Sequence, residues 1–239
     1  MSISVIIPCF NSEKYISKNI IKLRNLINKI NFKYEVIIID DCSLDKTYEV
    51  VKKFIIKNKS IRIYKNNSNK GKSYSLIKGI KKSKFNKIII IDSDLPYFSK
   101  LNILIKKLSH YDFVFIDRGH KKSKNIEKNK SIYQITRASI GYFINLVIRN
   151  VFSIKIKDTQ AGLKGFIKPK NFSKLNFSSK RFFFDLELLL YFISKKKSIF
   201  SIPVLFKVPT NSTIKIFSLK KNFEVIKELI IICLKKKYK

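Results

Sequence analysis

Two acidic clusters follow apolar runs in this 239-residue chain. Asp92 and Asp94 stand one residue apart after four consecutive isoleucines, Ile88–Ile91, and Asp40 and Asp41 close the run Val36–Ile39. Two carboxylates so spaced at a strand exit can reach one hard cation. Mg²⁺ or Mn²⁺ held in that way also holds a diphosphate and neutralises its charge as the bond to it breaks. The same pair could simply cap a turn, and Asp-x-Asp alone recurs by chance. Downstream lie a second acidic and basic set, Asp158 to Lys164, and the pair Asp185 and Glu187.

The elements that must position these groups read as alternating strands and helices. Ser2–Ile7, Tyr34–Ile39, Ile61–Tyr64, Lys87–Ile91 and Asp112–Ile116 read as short buried strands. Helices are expected from a cap at Asn11 or Ser12 to about Ile30, and over Asp45–Lys57, Lys72–Ser83 and Ser99–Leu108. That order argues for an open, mostly parallel sheet, in which ligands bind outside the carboxyl ends of the strands. Both acidic clusters sit there. Arg118–Lys130 reads as a polar, mobile loop, and Ser131–Phe152 as a long amphipathic helix. Lys164–Ile167 and Ile199–Val208 read as strands, the second placed at an edge by Pro203 and Pro209. Asp185–Lys195 and Asn222–Lys236 read as helices. Residues two apart on a helix do not share a face, so Asp185 and Glu187 are expected to do different work. Core packing is expected of Phe182–Phe184, Tyr191 and Phe192.

Composition narrows the class. With 13% aromatics and 45% hydrophobic residues, the chain can build a core. Three cysteines and two histidines rule out a disulfide framework and a His-rich metal centre. The net charge is +35, from 51 Lys+Arg against 16 Asp+Glu. Six of the 51 are arginines, Arg24, Arg62, Arg118, Arg137, Arg149 and Arg181. A protein that reads nucleic-acid sequence leans on arginine forks, so this lysine bias argues against nucleic acid as the partner. The N-terminus lacks the pattern of a signal peptide, and no run reaches the roughly 18 apolar residues of a spanning helix. A cytoplasmic protein, peripheral at the cytoplasmic face of a membrane, is expected.

Taken in order, the motifs VIIPCFN (5–11), EVIIIDDCSLDKT (35–47), NKGKSYSLIKG (69–79), IDSDL (91–95), DTQAGLKGF (158–166) and FDLELL (184–189) carry a resemblance. The chain resembles the family 2 glycosyltransferases of GT-A fold. It is most similar to their branch that makes polyprenyl-phosphate sugars, the dolichyl-phosphate mannose or glucose synthase type. The resemblance implies an α/β fold, with an open nucleotide-binding sheet flanked by helices and a smaller antiparallel acceptor part. It implies a catalytic domain over 1–210, with a nucleotide-binding half to about 117 and an acceptor half over 118–210. Residues 211–239 are then a terminal amphipathic, Lys-rich helix. Pro8, Phe10 and Glu13 match the stretch that contacts nucleoside and ribose. Asp40 and Asp41 match the pair that reads base or ribose, and Gly71 and Lys72 the loop near the base. Asp92, Ser93 and Asp94 match the family's Asp-x-Asp, with Asp92 and Asp94 holding Mg²⁺ or Mn²⁺ and Asp94 as the direct ligand. Asp158, Thr159, Gln160, Gly162 and Lys164 match the segment typical of the lipid-phosphate branch, and Asp185 and Glu187 its F-D-x-E element. Three departures stand out. The family usually has Gly or Asn at Cys42, a polar residue at Pro96, and a Gly-Ser-Arg-like element where Asp117-Arg118-Gly119 stands.

The implied reaction moves a hexose from a nucleotide sugar, of UDP-glucose or GDP-mannose type, to polyprenyl phosphate with inversion. A phosphate acceptor is already anionic at pH 7 and needs cations rather than a base. Arg118, Arg137, Lys164 and Arg181 lie in the segments expected around it, and arginine suits phosphate bidentately. Transfer to a hydroxyl of a cell-surface glycan is the alternative, and would need a carboxylate base. A non-enzymatic nucleic-acid binder is the remote one. The apolar faces of Ser131–Phe152 and Asn222–Lys239, with lysines beside them, have the look of interfacial helices, although such faces more often pack on a sheet. A membrane-embedded partner is a further expectation.

Overall fold

The computed structural model describes residues 1–30, 32–56, 58–127, 132–207 and 219–234. The order is β1 (Ser2–Cys9), α1 (Glu13–Ile30), β2 (Lys33–Asp40), α2 (Thr47–Ile55), β3 (Ile61–Lys65), α3 (Lys72–Lys82), β4 (Lys87–Ile91), α4 (Leu101–Lys107), β5 (Phe113–Ile116), β6 (Lys124–Asn125), α5 (Ile132–Phe152), β7 (Leu163–Ile167), α6 (Phe184–Ser194), β8 (Ile199–Ile202), β9 (Leu205–Phe206) and α7 (Leu219–Leu234). Seven strands form one sheet in the order β3-β2-β1-β4-β7-β5-β8. All run parallel except β7, which is antiparallel to both its neighbours, β4 and β5.

The isoleucine runs follow from burial on both faces of a parallel sheet. Along β1, β2 and β4, Val5, Ile7, Ile38, Ile89 and Ile91 face one core, with Ile16, Ile20, Leu23 and Ile27 of α1 packed on it. Ile6, Ile37, Ile39, Ile88 and Ile90 face the other, under Leu76 and Ile80 of α3 and Leu188, Leu189 and Phe192 of α6. The α1 spacing of four, three and four residues is the buried stripe of an amphipathic helix. Each fully buried isoleucine stabilises by roughly 1.5–3 kcal/mol. A third cluster joins α5, α6 and α7 through Ile148, Phe152, Phe183, Leu186, Leu190, Leu229 and Ile232.

Three sequence expectations are corrected. First, β1 runs through Pro8 to Cys9 rather than stopping before the proline. Its pairing with β4 ends at Ile6, so Pro8 sits where β1 has a neighbour on one side only. Second, the stretch read as a mobile loop after Arg118 holds β6, which pairs in parallel with β9. Third, the single strand expected over Ile199–Val208 breaks at Pro203 into β8 and β9, with β8 at the sheet edge. Residues 128–131, 208–218 and 235–239, with parts of the expected loop and of the terminal Lys-rich segment, lie outside the described residues.

Candidate active site

β4 delivers Asp92-Ser93-Asp94 to the carboxyl edge of the sheet, and α1 fixes the turn. Ser93 Oγ lies 3.1 Å from Ser12 Oγ and 3.4 Å from the Tyr15 hydroxyl, and Asn19 Nδ2 donates to Ser93 O at 2.8 Å. Leu95 and Tyr97, on either side of Pro96, have φ of +52° and +57°. Left-handed backbone at non-glycine residues is costly, and such strain gathers at functional sites. Asp92 N donates to Gly162 O at 3.1 Å. A Cβ at Gly162 would collide with Asp92 Oδ2 and lie 2.9 Å from Pro96 Cγ, so the glycine makes room for the carboxylate. Lys72 Nζ reaches Asp92 Oδ1 at 2.6 Å. Burial works against the Lys72 ammonium, but Asp92, and more weakly Asp185 and Asp94, outweigh it and hold its pKa above the ordinary lysine value. Protein crowding and then the Asp92 carboxylate push Asp94 above the usual carboxylate range.

Asp40 and Asp41 spend their oxygens on local chain. Asp40 accepts Ser43 N at 3.2 Å and the Ser43 hydroxyl, and burial pushes its carboxyl up. Asp41 accepts Asn66 Nδ2 at 2.7 Å, Lys70 N at 2.9 Å and Gly71 N at 2.8 Å, and so ties the 66–71 loop to the end of β2. Gly71 has φ of +92°, and a Cβ there would fall 2.8 Å from Arg181 Cγ. Cys42, between these anchors, has φ of +61°. That is why Gly or Asn is usual at this place, since both tolerate left-handed backbone. Glu13 opens α1 and exchanges contacts with the next loop: Glu13 N donates to Asp45 Oδ2 at 3.1 Å, and Lys46 N to Glu13 Oε2 at 3.1 Å. Pro8 and Phe10 line the same edge, both half-buried.

On the other side of Asp92 the charges alternate. Arg118 grips Asp158 bidentately, Nε to Oδ2 at 2.5 Å and Nη2 to Oδ1 at 2.8 Å. Burial disfavours both charges, yet each holds the other ionised: Arg118 is shifted up and Asp158 down. Tyr97 lies beside Arg118 and adds to its upward shift. Lys164 of β7 and Asp185 of α6 are 2% and 3% exposed and pair at 2.8 Å. Burial lowers the Lys164 pKa, and Asp185 offsets only part of this. Glu187, two residues on and on another face of α6, accepts Ser178 N at 3.0 Å and Ser179 N at 2.7 Å. The two acidic residues of F-D-x-E therefore do different work, as their spacing requires.

The fold thus gathers Asp92, Asp94, Lys72, Asp185, Lys164, Asp158 and Arg118 around the carboxyl end of β4, and Gly162 is in contact there. Thr159 joins through its carbonyl, 3.5 Å from Lys164 Nζ, and Gln160 N donates to Asp158 Oδ1 at 3.1 Å. Arg181 stands against Gly71 and 3.5 Å from Glu224. Arg137 lies on α5, and its side chain is outside the described residues. Tyr97, Asn66, Ser179 and Glu228 were not singled out from the sequence. Only Glu228 carried a signal, as an acidic residue that interrupts the apolar run Val225–Leu234. Among the described residues no three His, Cys, Asp or Glu cluster closely enough to enclose an ion. The carboxylates of Asp92 and Asp94 are hard oxygen donors of the kind that would suit a Mg²⁺-type ion, which takes one or two protein carboxylates.

A family model described as glycosyl transferase family 2 matches residues 4–171, most of the chain. The chain belongs to glycosyl transferase family 2. It is 29% identical over 203 residues to a dolichyl-phosphate beta-glucosyltransferase of Dictyostelium discoideum, covering 78% of this chain and 61% of that protein. The human dolichyl-phosphate beta-glucosyltransferase is 28% identical over 205 residues, with the same shares, 78% and 61%. A dolichol-phosphate mannosyltransferase of Pyrococcus furiosus is 24% identical over 169 residues, covering 70% of this chain and 45% of that one. This family 2 chain therefore spans about 61% of the length of those glucosyltransferases. Its fold matches glucosyl-3-phosphoglycerate synthase from Mycobacterium tuberculosis, solved with UDP, at a TM-score of 0.67 and 17% identity, over 97% of this chain and 80% of that one. The GT-A α/β architecture expected from the motifs is the one found. Among the described residues no helix is long and apolar enough to cross a membrane.

Proposed function

We propose that this family 2 chain transfers a hexose from a nucleotide sugar to polyprenyl phosphate, with inversion, at the cytoplasmic face of a membrane. The observation that carries the reading is the arrangement at the end of β4. Asp92 and Asp94 face solvent on one side, and the cationic Lys72, Lys164 and Arg118 alternate with Asp185 and Asp158 on the other. Asp92 and Asp94 would hold Mg²⁺ or Mn²⁺, which when bound offsets the charge of the departing diphosphate. Support for a divalent ion comes from the structural neighbour, which has also been solved with Mn²⁺ and UDP-glucose. Lys72 adds a fixed positive charge at the same place. Arg118 is oriented by Asp158, which leaves its guanidinium preorganised for an incoming phosphate. The acceptor oxygen attacks the anomeric carbon from the side opposite the diphosphate, forming the new C–O bond as the old one breaks. Asp158 and Asp185 are each tied to a cation, which favours an ionised phosphate acceptor over a hydroxyl that needs a carboxylate base. The names of the relatives support the same acceptor.

The test is incubation of the purified chain with Mg²⁺ or Mn²⁺, polyprenyl phosphate and a panel of labelled nucleotide sugars. Label should pass to lipid from one donor, and Asp94→Asn, still folded, should abolish transfer. Label passing to a glycan instead would favour the hydroxyl-acceptor reading, and unchanged activity in Asp94→Asn would sink the metal role.

A further inference from the structure

A carboxylate of α7 holds a strap that nothing in the motifs points to. Glu228 Oε1 accepts Lys180 N at 3.0 Å and Arg181 N at 2.8 Å, and Oε2 accepts Phe182 N at 3.0 Å and the Ser179 hydroxyl at 3.0 Å. One turn earlier Glu224 Oε2 lies 3.5 Å from Arg181 Nε. The carbonyls of the same strap serve the opposite side. Arg181 O accepts Ser73 N at 3.4 Å and Lys180 O accepts Tyr74 N at 3.2 Å. These are first-turn amides of α3, which have no partner within their own helix. The Arg181 backbone and side chain also close against Gly71, and Ser73 Oγ lies 3.0 Å from Ser179 Oγ. Between Gly71 and Ser73 stands Lys72, the first residue of α3, whose ammonium reaches Asp92. A continuous chain of contacts therefore runs from α7 through residues 179–182 to the start of α3 and on to the metal-side carboxylate.

We propose that Glu228 is a positioning residue for the donor side of the site: by anchoring the Ser179–Phe182 strap it fixes the start of α3 and hence Lys72 against Asp92. The inference rests on the reading that Lys72 and Asp92 serve the nucleotide sugar. A carboxylate accepting several backbone amides makes charge-assisted bonds, roughly twice as strong as neutral ones. Without it the strap keeps its bonds to α3 and, at Ser179, to Glu187, but the amides of Lys180, Arg181 and Phe182 lose their anchor. The effect should fall on donor affinity, because the strap meets Gly71, Ser73 and Tyr74, on either side of Lys72, and not the Arg118–Asp158 pair.

The experiment compares the full chain with Glu228→Ala and Glu228→Gln, by amide hydrogen exchange and by steady-state transfer kinetics. Exchange should rise at Lys180–Phe182 and also at Ser73 and Tyr74, while the β2–β3 region stays protected. KM for the nucleotide sugar should rise about tenfold with KM for polyprenyl phosphate unchanged. If Glu228→Ala does not fold, Glu228→Gln, which keeps one acceptor oxygen, should show the same pattern at smaller size. Faster exchange confined to Lys180–Phe182, or equal effects on both KM values, overturns the proposal. Should the wild-type chain transfer no sugar at all, the proposed reaction fails, and exchange at Ser73 and Tyr74 still decides the coupling.

Discussion

Gly162 shows how little space surrounds the Asp92 carboxylate. Its missing Cβ is what lets Asp92 Oδ2 and Pro96 Cγ close over β7. Gly162→Ala is expected to move the carboxylate rather than unfold the chain, because the group it displaces is a side-chain end at the rim of the sheet. A misplacement of about 1 Å can cost about 10²-fold in rate, so transfer should fall by about that factor with little change in melting temperature. A variant that transfers at the wild-type rate would show that Asp92 does not need its present place. The Lys164–Asp185 pair makes a different prediction, since both groups are buried. Lys164→Met leaves Asp185 buried without its cation and should cost about 3–5 kcal/mol in denaturant unfolding. The double variant Lys164→Met/Asp185→Leu removes the stranded charge and should recover most of that. Equal losses in the single and double variants would mean that packing, not charge, governs the site.

At the scale of elements, left-handed backbone gathers at the carboxyl ends of β1, β2 and β4, at Asn11, Cys42, Leu95 and Tyr97. Cys42 is the one of these whose side chain makes no contact that the site needs. Asn relieves most of the roughly 1–2 kcal/mol that left-handed backbone costs an ordinary residue. Cys42→Asn should therefore raise the melting temperature by about 2–4 °C, and a fall would show that the thiol packs to advantage. The alternation of strands and helices could be read from the sequence because burial on both faces writes itself as unbroken Ile and Val runs. The insertion of β7 between β4 and β5 could not, because Leu163–Ile167 carries no mark of its direction. Proline signals were half informative. Pro203 ends β8 at the sheet edge, but Pro8 lies inside β1, since what matters is whether a partner strand is present on that side. The acidic motifs could be located by spacing, while their partners could not. Asp158 takes Arg118 from 40 residues away, and Glu228 takes amides nearly 50 residues before it, contacts that only the tertiary fold creates.

Over the whole molecule, a net charge of +35 surrounds a small acidic centre, and the apolar surface is not evenly spread. α5 packs Ile148 and Phe152 inward but leaves Ile132 and Phe143 84% and 65% exposed, with Ile135, Ile140 and Tyr142 also exposed. α7, which packs beside it, buries Leu229 and Ile232 and exposes Ile226, Ile230 and Leu234. The amphipathic stripe read from the sequence is therefore divided: part packs in the cluster of α5, α6 and α7 and part faces out. Basic residues near an anionic bilayer each contribute about 1 kcal/mol, and exposed aliphatic and aromatic side chains add roughly 1.5–3 kcal/mol each when buried. The two contributions separate with salt, since at about 1 M the Debye length falls to about 3 Å. The chain is expected to sediment with phosphatidylserine vesicles at low salt and to keep part of that binding at high salt. Ile135→Ser/Phe143→Ser removes two exposed side chains that support no core, so its melting temperature should stay unchanged while the salt-resistant binding drops by at least tenfold. If salt alone abolishes wild-type binding, and the double variant binds as the parent does at low salt, the attraction is charge only and the α5 face is not what meets the bilayer.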